Sequence, residues 1–175
     1  MHAALAVVLS LVAHNPTPIP PPVKMDAAGK VHEAQSGEGG KSQAALTLDD
    51  GTELVLHGHD DADDAELMRL AGVRVKIIAI KGDPLLPRGN HVRVDRYEIV
   101  DVGNGVVPRV GRIASLELNG ATRLLFVDDQ GHADLLPAGF AKKMQASVGA
   151  RAWMIGTKEK GDFVPTRFSI LREKE

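Results

Sequence analysis

Short apolar stretches recur along the chain, each bounded by turn signals. "LTLDDGTELVL", residues 46–56, places Leu, Val and Thr on both sides of Asp49-Asp50-Gly51. Two strands joined by a tight hairpin are predicted there, because glycine supplies the positive φ such a turn needs. "LLFVDDQGHADLL", residues 124–136, repeats the arrangement around Asp128, Asp129 and Gly131. A helix is predicted after each hairpin. "DDADDAELMRLAG", residues 60–72, crowds acids at its start, carries an apolar stripe at Leu67, Met68, Leu70 and Ala71, and stops at Gly72. Acids favour the N-terminal end of a helix dipole, and glycine suits its C-terminal cap. "PAGFAKKMQASVG", residues 137–149, does the same up to Gly149. Each helix is followed by a β-rich segment, "VRVKIIAIKG" or "ARAWMIGTK", and then by a last strand, "HVRVDRYEIVD" or "FVPTRFSILR".

These parallels extend over four blocks in the same order. "AAGKVHEAQ" (27–35) lies beside "RVGRIASLE" (109–117), so that Gly29 and Gly111 open a first strand in each half. The hairpins form the second block, "LAGVRVKIIAIKGD" and "SVGARAWMIGTKEKGD" the third, and "VDRYEIVD" and "PTRFSILR" the fourth. The last block sets Arg96 against Arg167, Tyr97 against Phe168 and Ile99 against Ile170. A repeated supersecondary unit is the direct reading. The expected fold class is all-β with one short helix per unit: two tandem five-stranded barrels from an internal duplication. The order strand, strand, strand, helix, strand, strand resembles the OB-fold, and the resemblance is one of topology alone. One larger barrel or sandwich of all ten strands is the alternative. Asp49, Asp50, Asp128 and Asp129 are then turn residues, present twice because the unit is present twice.

The expected boundaries follow. Ala3 to Ala13 form an apolar run of signal-peptide length, too short to span a bilayer as a helix, although no Lys or Arg precedes it. Residues 1–13 are read as a removed signal and 14–26, with five prolines in "NPTPIPPPVK", as a polyproline tether. Residues 27–103 make unit one, 104–175 unit two, and "VGNGVVP" connects them.

Composition narrows the function. The 175 residues are 43% hydrophobic and 25% charged with a net charge of −2, so no global field draws polyanions. Residues 1–103 carry 10 Lys/Arg and 15 Asp/Glu, a charge of −5; residues 104–175 carry 11 and 8, a charge of +3. Contact between the halves would produce such a split, but compositional drift is the simpler expectation. The lack of cysteine excludes disulfides, thiolate metal sites and cysteine nucleophiles.

Candidate chemistry is sparse. No nucleophile elbow, zinc-protease motif, phosphate loop or dinucleotide fingerprint is present, and "GKS" at 40–42 has Gln35 where a phosphate loop begins with glycine. No catalysis and no cofactor are expected. "HGHDDADDAE", residues 57–66, offers His57, His59 and Asp60 as candidate metal ligands, but their spacing fits no established site. Single-strand nucleic-acid binding needs aromatic platforms in a basic groove; unit one has only Tyr97, and unit two has Phe126, Phe140, Trp153, Phe163 and Phe168. A cytoplasmic single-stranded nucleic-acid binder is the second reading. The segment "KGDPLLPRGN", residues 81–90, is an insertion relative to "KEKGDF" of unit two. It joins the fourth and fifth strands, and Leu85, Leu86 and Arg88 are the expected partner-binding residues; the competing expectation has the leucines folding back over the barrel. The chain is therefore expected to be a periplasmic or secreted binding protein that meets a protein partner or a cell-envelope component.

Overall fold

The computed structural model describes residues 21–35 and 40–174, so the expected signal peptide and most of the expected tether lie outside the described residues. The elements are β1 (Val23–Gln35), β2 (Ser42–Leu48), β3 (Glu53–His57), α1 (Asp61–Met68), β4 (Arg74–Lys81), β5 (His91–Asp101), β6 (Arg109–Leu118), β7 (Ala121–Asp128), β8 (Ala133–Leu135), α2 (Ala138–Met144), β9 (Arg151–Glu159) and β10 (Asp162–Arg172). Hydrogen-bonded neighbours run in a ring, β1-β2-β3-β5-β4, and again as β6-β7-β8-β10-β9. The protein is all-β, with two tandem five-stranded units and one short helix in each. The ten strands do not join into one larger sheet. β1 begins at Val23, inside the expected tether, because Val23 to Lys30 ladder against β4 as soon as the prolines end.

The registers match residue for residue. Gly29 lies opposite Leu48 of β2 and Val75 of β4, and Gly111 lies opposite Asp128 of β7 and Ala152 of β9. Both glycines stand where the first strand passes from one neighbour to the other, within the strand rather than at its start. A Cβ on Gly29 would fall on the Thr47 carbonyl oxygen, and one on Gly111 on that of Val127. Close backbone approach is thus the shared reason for glycine. Val75 and Ala152 face Ile99 and Ile170, while Ile77 and Met154 face Tyr97 and Phe168, as the aligned sequence blocks require. The register of this strand pair also slips at the same two places in each unit: Ile78/Ala79 and Arg74/Val75 in the first, Pro165/Arg167 and Ile170/Arg172 in the second.

The hairpin block aligns on its glycines rather than on its acidic pairs. Gly51 N–H donates to the Leu48 carbonyl at 3.0 Å, and Gly131 N–H to the Asp128 carbonyl at 2.8 Å. Asp49 therefore corresponds to Asp129. Asp49 binds Arg74 at 2.6 Å and Asp129 binds Arg151 at 2.9 Å, each arginine being the first residue of its fourth strand. Each helix is followed by a glycine at positive φ whose N–H reaches the first strand: Gly72 to the Val31 carbonyl at 2.8 Å, Gly149 to that of Ile113 at 2.7 Å.

The interiors differ. Unit one is filled by aliphatic side chains, among them Val31, Leu46, Leu54, Leu70, Val75, Ile77 and Val92, each at most 1% exposed. Each such leucine or valine contributes on the order of 2 kcal/mol by burial. Unit two stacks Phe126 on Phe163 at 6.2 Å and lays the Arg109 guanidinium over both rings at 5.5 and 5.0 Å. Arg109 is held there by Asp134 at 2.6 Å and Asp128 at 2.9 Å, and Lys158 also reaches Asp134 at 2.7 Å. Closure is slighter in unit two, where β8 meets β10 through the single pair Asp162 and Leu135, against three pairs between β3 and β5.

Candidate functional site

Among the described residues the most exposed large apolar side chain is Leu85, in the β4–β5 loop, residues 82–90. The loop's counterpart, Lys160-Gly161, is a two-residue turn with both φ positive. The loop is built on Asp83. Its carboxylate accepts from Leu85 N–H at 2.8 Å and from Arg93 Nε at 2.6 Å, while Arg93 also donates to the Gly58 carbonyl at 2.8 Å. The Arg93 hydrogen bond, aided by the Leu85 amide, holds the Asp83 carboxyl below its usual range. So anchored, the loop carries Leu85 outward at 83% exposure. Leu86 turns into a groove of about 580 Å³ whose walls are Pro21, Val23, Pro84 and Pro87, with Arg88 and His91 also lining it. Leu86 is half-buried, and neither leucine belongs to a core cluster.

The candidate metal ligands do not meet. His57 Nε2 and His91 Nδ1 lie 2.9 Å apart in a stacked pair with centroids 5.2 Å apart. Burial, with help from His91, lowers the His57 pKa. His59 lies 3.7 Å from Asp95, and Asp60 is the N-cap of α1, accepting from Asp63 N–H at 2.8 Å. Among the described residues, no three His, Asp or Glu groups converge as metal ligands would. The acid-rich stretch is instead a capped helix start and a docking face.

That docking face was missed in sequence. Glu66 of α1, 5% exposed, accepts from the Tyr97 hydroxyl of its own unit and from Arg172 Nε of the other at 2.6 Å. Arg172 also pairs with Asp63, and Arg151 Nε lies 3.5 Å from Glu66. Arg69 donates to the Leu171 carbonyl at 3.2 Å and to Glu173 at 2.8 Å. Leu171 and Trp153 join the buried cluster of the first unit. Burial drives the Tyr97 phenol far above its usual pKa, and the neighbouring Glu66 carboxylate pushes the same way. Burial alone would raise the Asp63 carboxyl, but the His59 amide and the Arg172 guanidinium outweigh it and hold that group low. Across this seam the acids Asp63 and Glu66 of the first unit meet Arg172 of the second, while Arg69 and Glu173 pair in the opposite sense. The linker is ordered by the same strand end: Asp101 Oδ1 accepts from Gly103 N–H at 2.6 Å and Val106 N–H at 3.1 Å. Gly103, Asn104 and Gly105 all have positive φ, which accounts for "VGNGV" as a turn.

The aromatic residues are mostly spent on packing. Phe126, Phe163 and Trp153 are buried, the half-buried Tyr97 is tied to Glu66, and the edge-to-face pair Phe140 and Phe168, 5.2 Å apart, reaches the surface. Among the described residues no helix is long and apolar enough to cross a membrane. The chain matches no protein-family model, and no curated protein matches it. What defines the class is thus the architecture itself: two tandem five-stranded units, joined through an acidic helix, with one elaborated loop.

Proposed function

We propose that this is an exported, non-catalytic binding protein built from two OB-like units, which takes a protein partner at the groove behind residues 82–90. The exposure of Leu85 above an apolar groove carries the reading. A leucine held at 83% exposure by a hydrogen-bonded loop gains about 2 kcal/mol when a partner covers it. Lys81, Arg88 and His91 line the same groove, and the Asp83 carboxylate is occupied by Arg93. The favoured occupant is an acidic peptide segment with an aliphatic anchor. The loop is also one of those that OB-folds use to contact ligands. Export rests on the apolar run Ala3 to Ala13 and the proline-rich stretch behind it.

The nucleic-acid reading draws less support, since most of the rings it would need as stacking platforms are buried in unit two or bonded at the seam, leaving the pair Phe140 and Phe168. The test is a photo-crosslinker at position 85 in the native host, followed by affinity measurement with the purified partner. One cross-linked protein, bound at least about tenfold more weakly by Leu85→Asp, is the expected result. Cross-linking to lipid or glycan alone would move the assignment to an envelope component. A salt-sensitive affinity for oligonucleotides, unchanged by Leu85→Asp, would overturn the reading. Intact mass and cell fraction report on export: a full-length cytoplasmic chain is incompatible with it.

A further inference from the structure

At the seam between the units lies an open cleft of about 240 Å³, whose walls include Glu66 of α1, Arg96 and Tyr97 of β5, and Arg112, Arg151 and Arg172 of the second unit. Its charges can be assigned one by one. Glu66 and Asp63 are taken by Arg172, with Tyr97 also on Glu66. Arg151 is drawn outward to Asp129 at 2.9 Å, and Asp95 has His59 at 3.7 Å. Arg96 and Arg112, one from each unit, remain without a hydrogen bond or ion pair to any described residue. Arg151 also faces Glu66, its Nε 3.5 Å from that carboxylate but buried without a hydrogen bond. Two uncompensated guanidinium groups on one cleft repel each other, and a fork of N–H donors is the side chain best matched to tetrahedral oxyanions. A buried donor left unsatisfied raises the value of any acceptor that reaches it.

The geometry points to this cleft as a binding site for a small phosphate-type anion that bridges the two units. The volume admits a diphosphate or a small phosphate ester. Because Arg96 and Arg112 belong to different units, the site is complete only when both are docked. It is separate from the groove behind residues 82–90, and neither site depends on the other.

Isothermal titration of the full chain with inorganic phosphate, pyrophosphate and glycerol phosphate, at constant ionic strength, tests the site. Sodium chloride serves as the screening control. At least one of the three is expected to bind, and to lose about tenfold in affinity with Arg96→Gln and with Arg112→Gln but not with Arg88→Gln. Both arginines are exposed, and the emission of the single tryptophan, Trp153, confirms that the seam survives each change. Arg96→Lys, which keeps charge but not the fork, is expected to fall between. Preference for glycerol phosphate over the inorganic ions assigns an ester; the reverse order assigns a free ion. Dissociation constants above about 10 mM for all three, or an equal loss with Arg88→Gln, would overturn the site.

Discussion

The two units share their strand order, their crossing glycines and even the slips in their last strand pair, yet equivalent positions carry opposite charges. Counting back from the glycines after the helices, Leu67 and Met144 coincide and both are buried. The preceding positions are then Glu66 in unit one and Lys143 in unit two. At the end of the fifth strand the counterparts are Asp101 and Arg172, by their pairing with Arg74 and Arg151. Unit one is acidic at both places and unit two is basic at both. Like charges at both places would repel in this contact, whereas here Glu66 on the helix of the first unit meets Arg172 at the strand end of the second. The difference teaches that the backbone plan was kept while the charges at equivalent positions diverged, and that one such pair, Glu66 and Arg172, lies in the contact between the units.

The strongest way to break this comparison is to reverse one charge. Glu66→Lys places a cation against Arg172 and Arg151 in a buried position, and is expected to cost about 4 kcal/mol. Lys143→Glu, at the equivalent but exposed position, is expected to stay within about 0.5 kcal/mol of the parent. Denaturant unfolding followed by Trp153 emission measures both. Similar costs at the two positions would mean that the seam does not rest on this charge pattern.

Next comes the feature the units have in common. Gly29→Ala and Gly111→Ala each drive a methyl into a neighbouring carbonyl, and each is expected to cost about 3 kcal/mol. Equal losses by urea unfolding confirm one plan used twice; a tolerated change at either site shows that its crossing can relax.

These glycines also mark what the sequence disclosed. Blocks in matching order revealed the unit, its strands, its helix and the inserted loop, because backbone requirements leave glycines, turns and β-branched runs at constant places. The acidic turns were legible as turns, although their alignment was one residue off, since Asp128 closes a strand and Asp129 makes the ion pair. The seam was not legible. Tyr97 and Phe168 look alike in sequence, and nothing local says that Glu66 lies beneath one of them. The metal candidates failed for a similar reason: a helix N-cap and a stacked histidine pair use the same residue types as a metal site.

Tyr97 and Phe168 offer a smaller and sharper test. Tyr97 is the chain's single tyrosine, so its ionisation can be followed by absorbance without ambiguity. Its pKa is raised by folding, so the stabilisation it brings is complete below about pH 10 and is lost as pH climbs beyond that. The unfolded chain releases the proton first, and stability should fall by about 1.4 kcal/mol per pH unit above that point. Tyr97→Phe should remove this slope, while Phe168→Tyr, 43% exposed at the equivalent position, should not add one. A Tyr97 that ionises near pH 10 while the protein is still folded would show that the phenol is not sealed at the seam.

The smallest effect is expected where the units differ most in length. Replacing residues 82–89 of the first unit by the Lys160-Gly161 turn of the second shortens a connection between two strands that already pair along most of their length. Closing fewer residues returns about 1 kcal/mol of loop entropy. Against this stands the loss of Asp83, which leaves Arg93 with its bond to the Gly58 carbonyl alone. The two terms oppose each other, and thermal unfolding should move by only a few degrees in either direction. Affinity for the purified partner, by contrast, should vanish, because Leu85, Leu86 and Arg88 leave together. A large loss of stability would show that the loop closes the barrel, the competing role considered for its leucines. An unchanged fold without the partner would show that the insertion serves contact alone, and that a two-residue turn is all the unit needs to stand.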